Sequence, residues 1–120
     1  MQFQVLLALE EPDTLEFYRS NLEYAGFEVI VTDPAGALAA AATIRPDIIV
    51  IDGSRASGAH TCREFKANPR LRRVPIIAMA PPDSSTTLDG ACDAVLPVQC
   101  LPDVLVETID RLLVAHLRNS

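Results

Sequence analysis

Five short apolar runs recur along the chain, separated by stretches of helical or turn character. Residues 5–9 (VLLAL), 27–31 (FEVIV), 48–51 (IIVI), 74–80 (VPIIAMA) and 94–96 (AVL) are too short for helices and rich in aliphatic side chains, so they predict strands. The third run has the most to say. Ile48, Ile49, Val50 and Ile51 lie between Asp47 and Asp52, and Gly53 follows. A continuous β-branched run without polar alternation predicts a strand buried on both faces, the centre of a parallel sheet. Asp52 then stands at the carboxyl end of that strand, where open α/β sheets place their chemistry.

The stretches between the strands carry helix signals. Pro12 suits a first helical turn, and the acids around it suit the positive end of a helix. Leu15, Tyr18, Leu22 and Ala25 recur at spacings of three and four, and Gly26 suits the position just past a helix end. Asp33 predicts an N-cap for a helix over the alanine-rich residues 35–44, which Pro46 stops. A loop of small and polar residues is expected over 53–59. A short helix follows over 60–67, closed by Asn68-Pro69, and then a polar connector at 70–73. Residues 81–85 are rich in turn formers and lead to a weak helix ending near Gly90. Pro102 starts a last helix, with Leu105, Ile109, Leu112 and His116 on its inner face. Five alternations of strand and helix with short connections imply right-handed crossovers and a three-layer α/β sandwich. There is no internal repeat and no linker, so residues 1–120 are read as one domain.

Composition narrows the function classes. About half the residues are apolar, enough for a substantial core, and the net charge is −6. An acidic chain argues against nucleic acid as a direct partner, because phosphate binding needs a basic surface. No apolar run is long enough to span a bilayer, and the start lacks the features of a signal peptide. Cys62, Cys92 and Cys100 are odd in number and have no paired spacing, which points away from a disulfide framework or a zinc site and toward a reduced, cytoplasmic setting.

Taken in order, VLLALEEPDT, AGFEV, RPDIIVID, ANPRLRRVPII, GACDAVLP and PDVLVETIDRLL resemble the receiver (CheY-like) domain of two-component response regulators over nearly the whole chain. The resemblance implies the flavodoxin-like (βα)5 fold with strand order 2-1-3-4-5. It also implies that Asp52 is the position that accepts a phosphoryl group from a histidine kinase by carboxylate attack on phosphorus. Such chemistry needs Mg²⁺ to neutralise the phosphoryl oxygens, a fixed cation to pair with them, and a hydroxyl to report their arrival.

Against that pattern, most helpers are replaced. Of the acidic pair after the first strand, Leu9 stands for the first acid and Glu10 for the second; Glu11 follows, either as a compensating ligand or as a helix-start charge. The third metal ligand is the backbone carbonyl of Ser54. Ala80 occupies the hydroxyl position and Val98 the lysine position. Gln99 replaces the usual cis-proline, and Val95 falls near the switch aromatic, with Cys92 as an apparent one-residue insertion. The loop after Asp52 is also shorter than the common form, and a cation from elsewhere, such as Arg55, is a candidate to fill the space left by the lysine.

The resulting expectation is a divergent or pseudo-receiver, a non-enzymatic protein-interaction module in two-component signalling or phosphorelay. Its phosphorylation switching is impaired or absent, and its partner is a histidine kinase or a downstream regulator. The partner surface implied by the resemblance is formed by the weak helix before residue 90, the fifth strand and the last helix. The alternative is a working Mg²⁺-dependent phosphoacceptor using Glu10, Asp52 and Ser54. A flavodoxin-like ligand binder or enzyme is disfavoured, because no Gly-rich phosphate loop follows any strand. Arg63, Lys66, Arg70, Arg72 and Arg73 read as a solvated basic face, His60 as a helix-start residue and His116 as a helix-end residue. Ser57, like Ser54, serves turn geometry. Cys100, in the altered segment, is the thiol singled out for a test of reactivity.

Overall fold

The computed structural model describes residues 2–53, 56–81 and 92–118, leaving aside the side chains of 56–59. Five strands, β1 (Gln4–Ala8), β2 (Glu28–Val31), β3 (Ile48–Asp52), β4 (Ile76–Ala80) and β5 (Ala94–Pro97), form one parallel sheet in the order β2-β1-β3-β4-β5. Four α-helices are described: α1 (Pro12–Tyr24), α2 (Ala37–Ile44), α3 (Ala56–Ala67) and α4 (Pro102–Arg118). This is the flavodoxin-like order expected from the sequence.

The apolar runs explain the layers. Successive strand residues point to opposite faces, so a run buried on both faces feeds two cores at once. Leu6, Ala8, Ile49, Ile51, Ile76, Ala78 and Ala80 face α2 and α3, where they meet Ala37, Ala41, Cys62 and Phe65. Val5, Leu7, Ile48, Val50, Ile77 and Met79 face α1 and α4, where they meet Tyr18, Leu22, Leu105, Ile109 and Leu113. β3 sits between β1 and β4 and is paired along its length, with Ile51 opposite Ala8 and Ala78, and Asp52 opposite Met79. At its start, the Asp47 carboxylate accepts the Gln4 N–H at 2.7 Å, while the Asp47 N–H donates to the Gln4 carbonyl at 2.9 Å.

Several element ends differ from the sequence expectation. Asp33 does cap, accepting the Gly36 N–H at 2.8 Å, but the turn it caps is a 3₁₀ turn over Pro34–Gly36; α2 proper starts at Ala37, not Ala35. α3 starts at Ala56, four residues before the expected His60. Ala-Ser-Gly-Ala is a poor helix opening by propensity, and burial of Cys62 and Phe65 on the sheet overrides it. β4 starts at Ile76, not Val74: Pro75 accepts a ladder bond from the Ile49 N–H but has no N–H to return. On α4 the buried row is Leu105, Ile109 and Leu113; Leu112 and His116 lie at its half-buried edge. The weak helix expected before Gly90 lies outside the described residues.

The Lys66 ammonium pins the entry side of the sheet. It donates to the Asp93 carboxylate at 2.8 Å and to the Val74 carbonyl at 3.3 Å, and the same carboxylate oxygen accepts the Ile76 N–H at 2.7 Å. α3 is thereby joined to the starts of β4 and β5.

Candidate functional site

Asp52 is the last residue of β3 and is half-buried. The ladder continues one step past it, through the Gly53 N–H to the Met79 carbonyl at 2.8 Å, so the strand end is held firmly between its neighbours. The Asp52 carboxylate accepts the Glu10 N–H at 3.3 Å, which ties the first βα turn to the end of the central strand. Beside it opens a cavity of about 240 Å³ lined by Leu9, Glu11, Thr14, Asp52, Met79, Pro81 and Val98.

The two glutamates of the turn have different duties. Glu11 is the N-cap of α1, with Pro12 following as the first helical residue. Its carboxylate accepts the Asp13 N–H at 3.1 Å, the Thr14 N–H at 2.6 Å and the Thr14 hydroxyl at 2.7 Å. These bonds, the Thr14 hydroxyl foremost and the two backbone amides next, hold its pKa below the usual carboxylate value. Of the two readings left open by the sequence, the helix-start role is the one this geometry supports. Glu10 is exposed.

Leu9 is 5 % exposed and packs in the apolar cluster of Tyr18, Met79 and Leu105, with Val98 against it. Ala80, 1 % exposed, lies opposite Pro97 in the ladder and faces the α2–α3 core instead. Val95 packs on that same face. Apolar side chains therefore occupy Leu9, Ala80 and Val98, the three positions where the resemblance implies an acid, a hydroxyl and a lysine. Lys66 is the only lysine in the chain, and it is bound to Asp93 at the opposite end of the sheet from Asp52. Ser54 and Arg55 lie outside the described residues.

Mg²⁺ takes near-octahedral oxygen ligands and is held through carboxylates. Leu9 offers no donor and Glu11 is engaged in its cap, which leaves, among the described residues at these positions, the carboxylates of Asp52 and Glu10. Among the described residues, no group of three His, Cys, Asp or Glu side chains is placed to hold a metal ion. Among the described residues, the donor set fits the ion poorly.

Sequence reasoning missed one polar feature of the site. The spacing of three and four marks Tyr18 only as part of an apolar helix face. Its ring is buried, but its hydroxyl donates to the carbonyl of Cys100 at 2.6 Å and lies 3.3 Å from that of Val98. The available signal was chemical: a tyrosine on an inner helix face needs a partner for its O–H. Through it, α1 holds the segment after β5, the very stretch that lacks lysine and cis-proline; no cis peptide bond occurs among the described residues. A second cleft of about 310 Å³, lined by Asp13, Phe17, Tyr18, Val98, Gln99 and Leu101 among others, runs along this contact.

Burial, with the Cys100 contact second, pushes the Tyr18 hydroxyl up to about 12 from its ordinary value of 10. A raised folded value means that the contribution is complete below the unfolded value and is lost as pH climbs through the folded one. Tyr18→Phe should therefore cost about 1 kcal/mol at neutral pH. In urea titrations, the gap to wild type should hold to about pH 10 and narrow toward 12.

The signal receiver domain of a signal transduction histidine kinase from Syntrophus aciditrophicus superposes with a TM-score of 0.82 at 23% identity, over 94% of this chain and 91% of that one. The receiver domain of a sensor histidine kinase from Pseudomonas aeruginosa gives 0.82 at 23% identity, over 94% and 98%; that structure has a magnesium ion coordinated in its active-site cleft. A chemotaxis protein of Vibrio cholerae gives 0.82 at 21% identity, over 93% and 99%. No family model and no curated protein matches the sequence. The chain thus has the fold of receiver domains, shared along nearly its whole length.

Proposed function

We propose that this chain is a receiver-like signalling module that acts by binding a protein partner, with its phosphorylation switch impaired or lost. One observation carries the reading: beside Asp52, where a phosphoryl group would need a cation, Val98 packs into an apolar cluster, and the sole lysine is held at the far end of the sheet. A phosphoryl group on Asp52 would forgo charge-assisted contacts worth about 1.5–3 kcal/mol each. Ala80 has no hydroxyl with which to transmit its arrival.

The partner is a protein, a histidine kinase or a downstream regulator, and the module is not an enzyme. Support for a docking role comes from α4 and its approach, where Leu101, Val104, Val114 and Leu117 are all exposed. Among the described residues, no helix is long and apolar enough to cross a membrane.

The second reading, a Mg²⁺-dependent phosphoacceptor, has in its favour the half-buried Asp52 at the edge of a cavity. Incubation with a small-molecule phosphodonor and Mg²⁺, followed by intact-mass measurement, separates the two. The expected result is no adduct. A stable, Mg²⁺-dependent adduct that disappears in Asp52→Asn would overturn the proposal in favour of the second reading.

A further inference from the structure

Two of the three cysteines meet. Cys62 lies on α3, wholly buried in the core of that face of the sheet. Cys92 lies just before β5, half-buried, and packs against the same core. Each thiol is the largest influence on the pKa of the other, so the two sulfurs lie side by side. A neighbouring ion pair fixes the same juncture independently. Lys66 is four residues beyond Cys62, one turn along the same helix face, and Asp93 directly follows Cys92. The 2.8 Å pair between Lys66 and Asp93, with the Ile76 N–H on the same carboxylate, holds residues 92 and 93 against α3 and β4.

We propose that Cys62 and Cys92 form a reversible intramolecular disulfide, in which Cys92 is the thiol attacked by peroxide and Cys62 the thiol that resolves it. Cys92 is the accessible partner. The Cys62 thiol beside it holds its pKa below the ordinary cysteine value, with smaller help from the Ala78 main chain and Lys66 and against opposition from burial and Asp93. Cys62 is shifted upward, first by the same contact and then by burial, so it keeps its proton. Burial pushes Cys100 upward as well. Oxidation follows thiolate character and access. The proposal thus places the reactive thiol at Cys92 rather than at Cys100, the one the sequence singles out.

The chemistry closes with hydrogen peroxide as the oxidant. The Cys92 thiolate attacks one peroxide oxygen; the O–O bond breaks, and Cys92 becomes a sulfenic acid. The departing hydroxide takes the proton that Cys92 had lost and becomes water. The Cys62 sulfur then attacks the Cys92 sulfur. The S–O bond breaks, and the leaving oxygen takes the Cys62 proton to give a second water. Two thiols are oxidised to one disulfide, and one peroxide is reduced to two waters. The new bond joins α3 to the entry of β5, the elements already joined by Lys66 and Asp93, and Asp52 takes no part.

The test is mild peroxide treatment of the purified chain, alkylation in denaturant, intact mass and peptide mapping. The expected product is lighter by two hydrogen atoms. Its alkylatable thiols fall from three to one, Cys100, and dithiothreitol restores all three. Cys92→Ser and Cys62→Ala should each abolish the bond, and Cys100→Ser should leave it intact. Cys92→Ser serves alone should the buried Cys62→Ala fail to fold. Three alkylatable thiols after peroxide, oxidation confined to Cys100, a bond from Cys92 to Cys100, or a disulfide between two chains would each overturn the proposal.

Discussion

Replacing Phe65 by alanine should lower the free energy of unfolding by about 3–5 kcal/mol, read as a fall in the urea midpoint at unchanged slope. Phe65 is fully buried between α3 and the sheet, among Leu6, Ile49, Ile76 and Leu71. Its removal forfeits the transfer energy of a ring and leaves a cavity that rigid strands cannot close. Domains of this size are stable by about 5–15 kcal/mol in all, so the change takes a large share. The site lies on the opposite face from the Tyr18 cluster, so the loss should add to that of Tyr18→Phe. Near-wild-type stability in Phe65→Ala would mean that α3 does not pack on the sheet as described.

Leu9→Asp should be comparably damaging without metal and partly repaired by it. The new carboxylate would enter a position only 5 % exposed, beside the cavity that Asp52 lines. Leaving a buried charge uncompensated costs about 3–5 kcal/mol. Burial and the neighbouring Asp52 would raise the new group's pKa, so the damage should shrink as pH falls and the group takes up its proton. Mg²⁺ offers another remedy: at a hundredfold excess over its dissociation constant, a bound ion returns about 2.7 kcal/mol. The thermal midpoint of the variant should therefore rise in millimolar Mg²⁺, while that of wild type stays put. An equal rise in wild type would show that Leu9 is no obstacle to the ion.

The parts of the fold legible in the sequence are those set by continuous burial. The run from Ile48 to Ile51 announces a central strand because both of its faces need apolar cover, and Asp52 follows at its end. The start of α3 was not legible. Ala56, Ser57, Gly58 and Ala59 look like a loop by local propensity, and only the burial of Cys62 and Phe65 farther along makes them helical. At the site, the replacements at Leu9, Ala80 and Val98 could be read from position. What they pack against could not: Ala80 serves the α2–α3 core, whereas Leu9 and Val98 serve the α1–α4 core. The capping duty of Glu11 is one of two readings open in the sequence, and three hydrogen bonds to Asp13 and Thr14 support it. The meeting of Cys62 with Cys92 depends on the order of β4 and β5 in space, and no local pattern announces it.

The clamp made by Lys66 has a consequence for chemistry from outside. Lys66 carries the one side-chain primary amine of this sequence, and that amine is already in an ion pair. An acylating reagent can modify a side-chain amine only by catching Lys66 away from Asp93. The rate of that one reaction thus reports how often the Lys66–Asp93 pair opens, and it needs no engineered label.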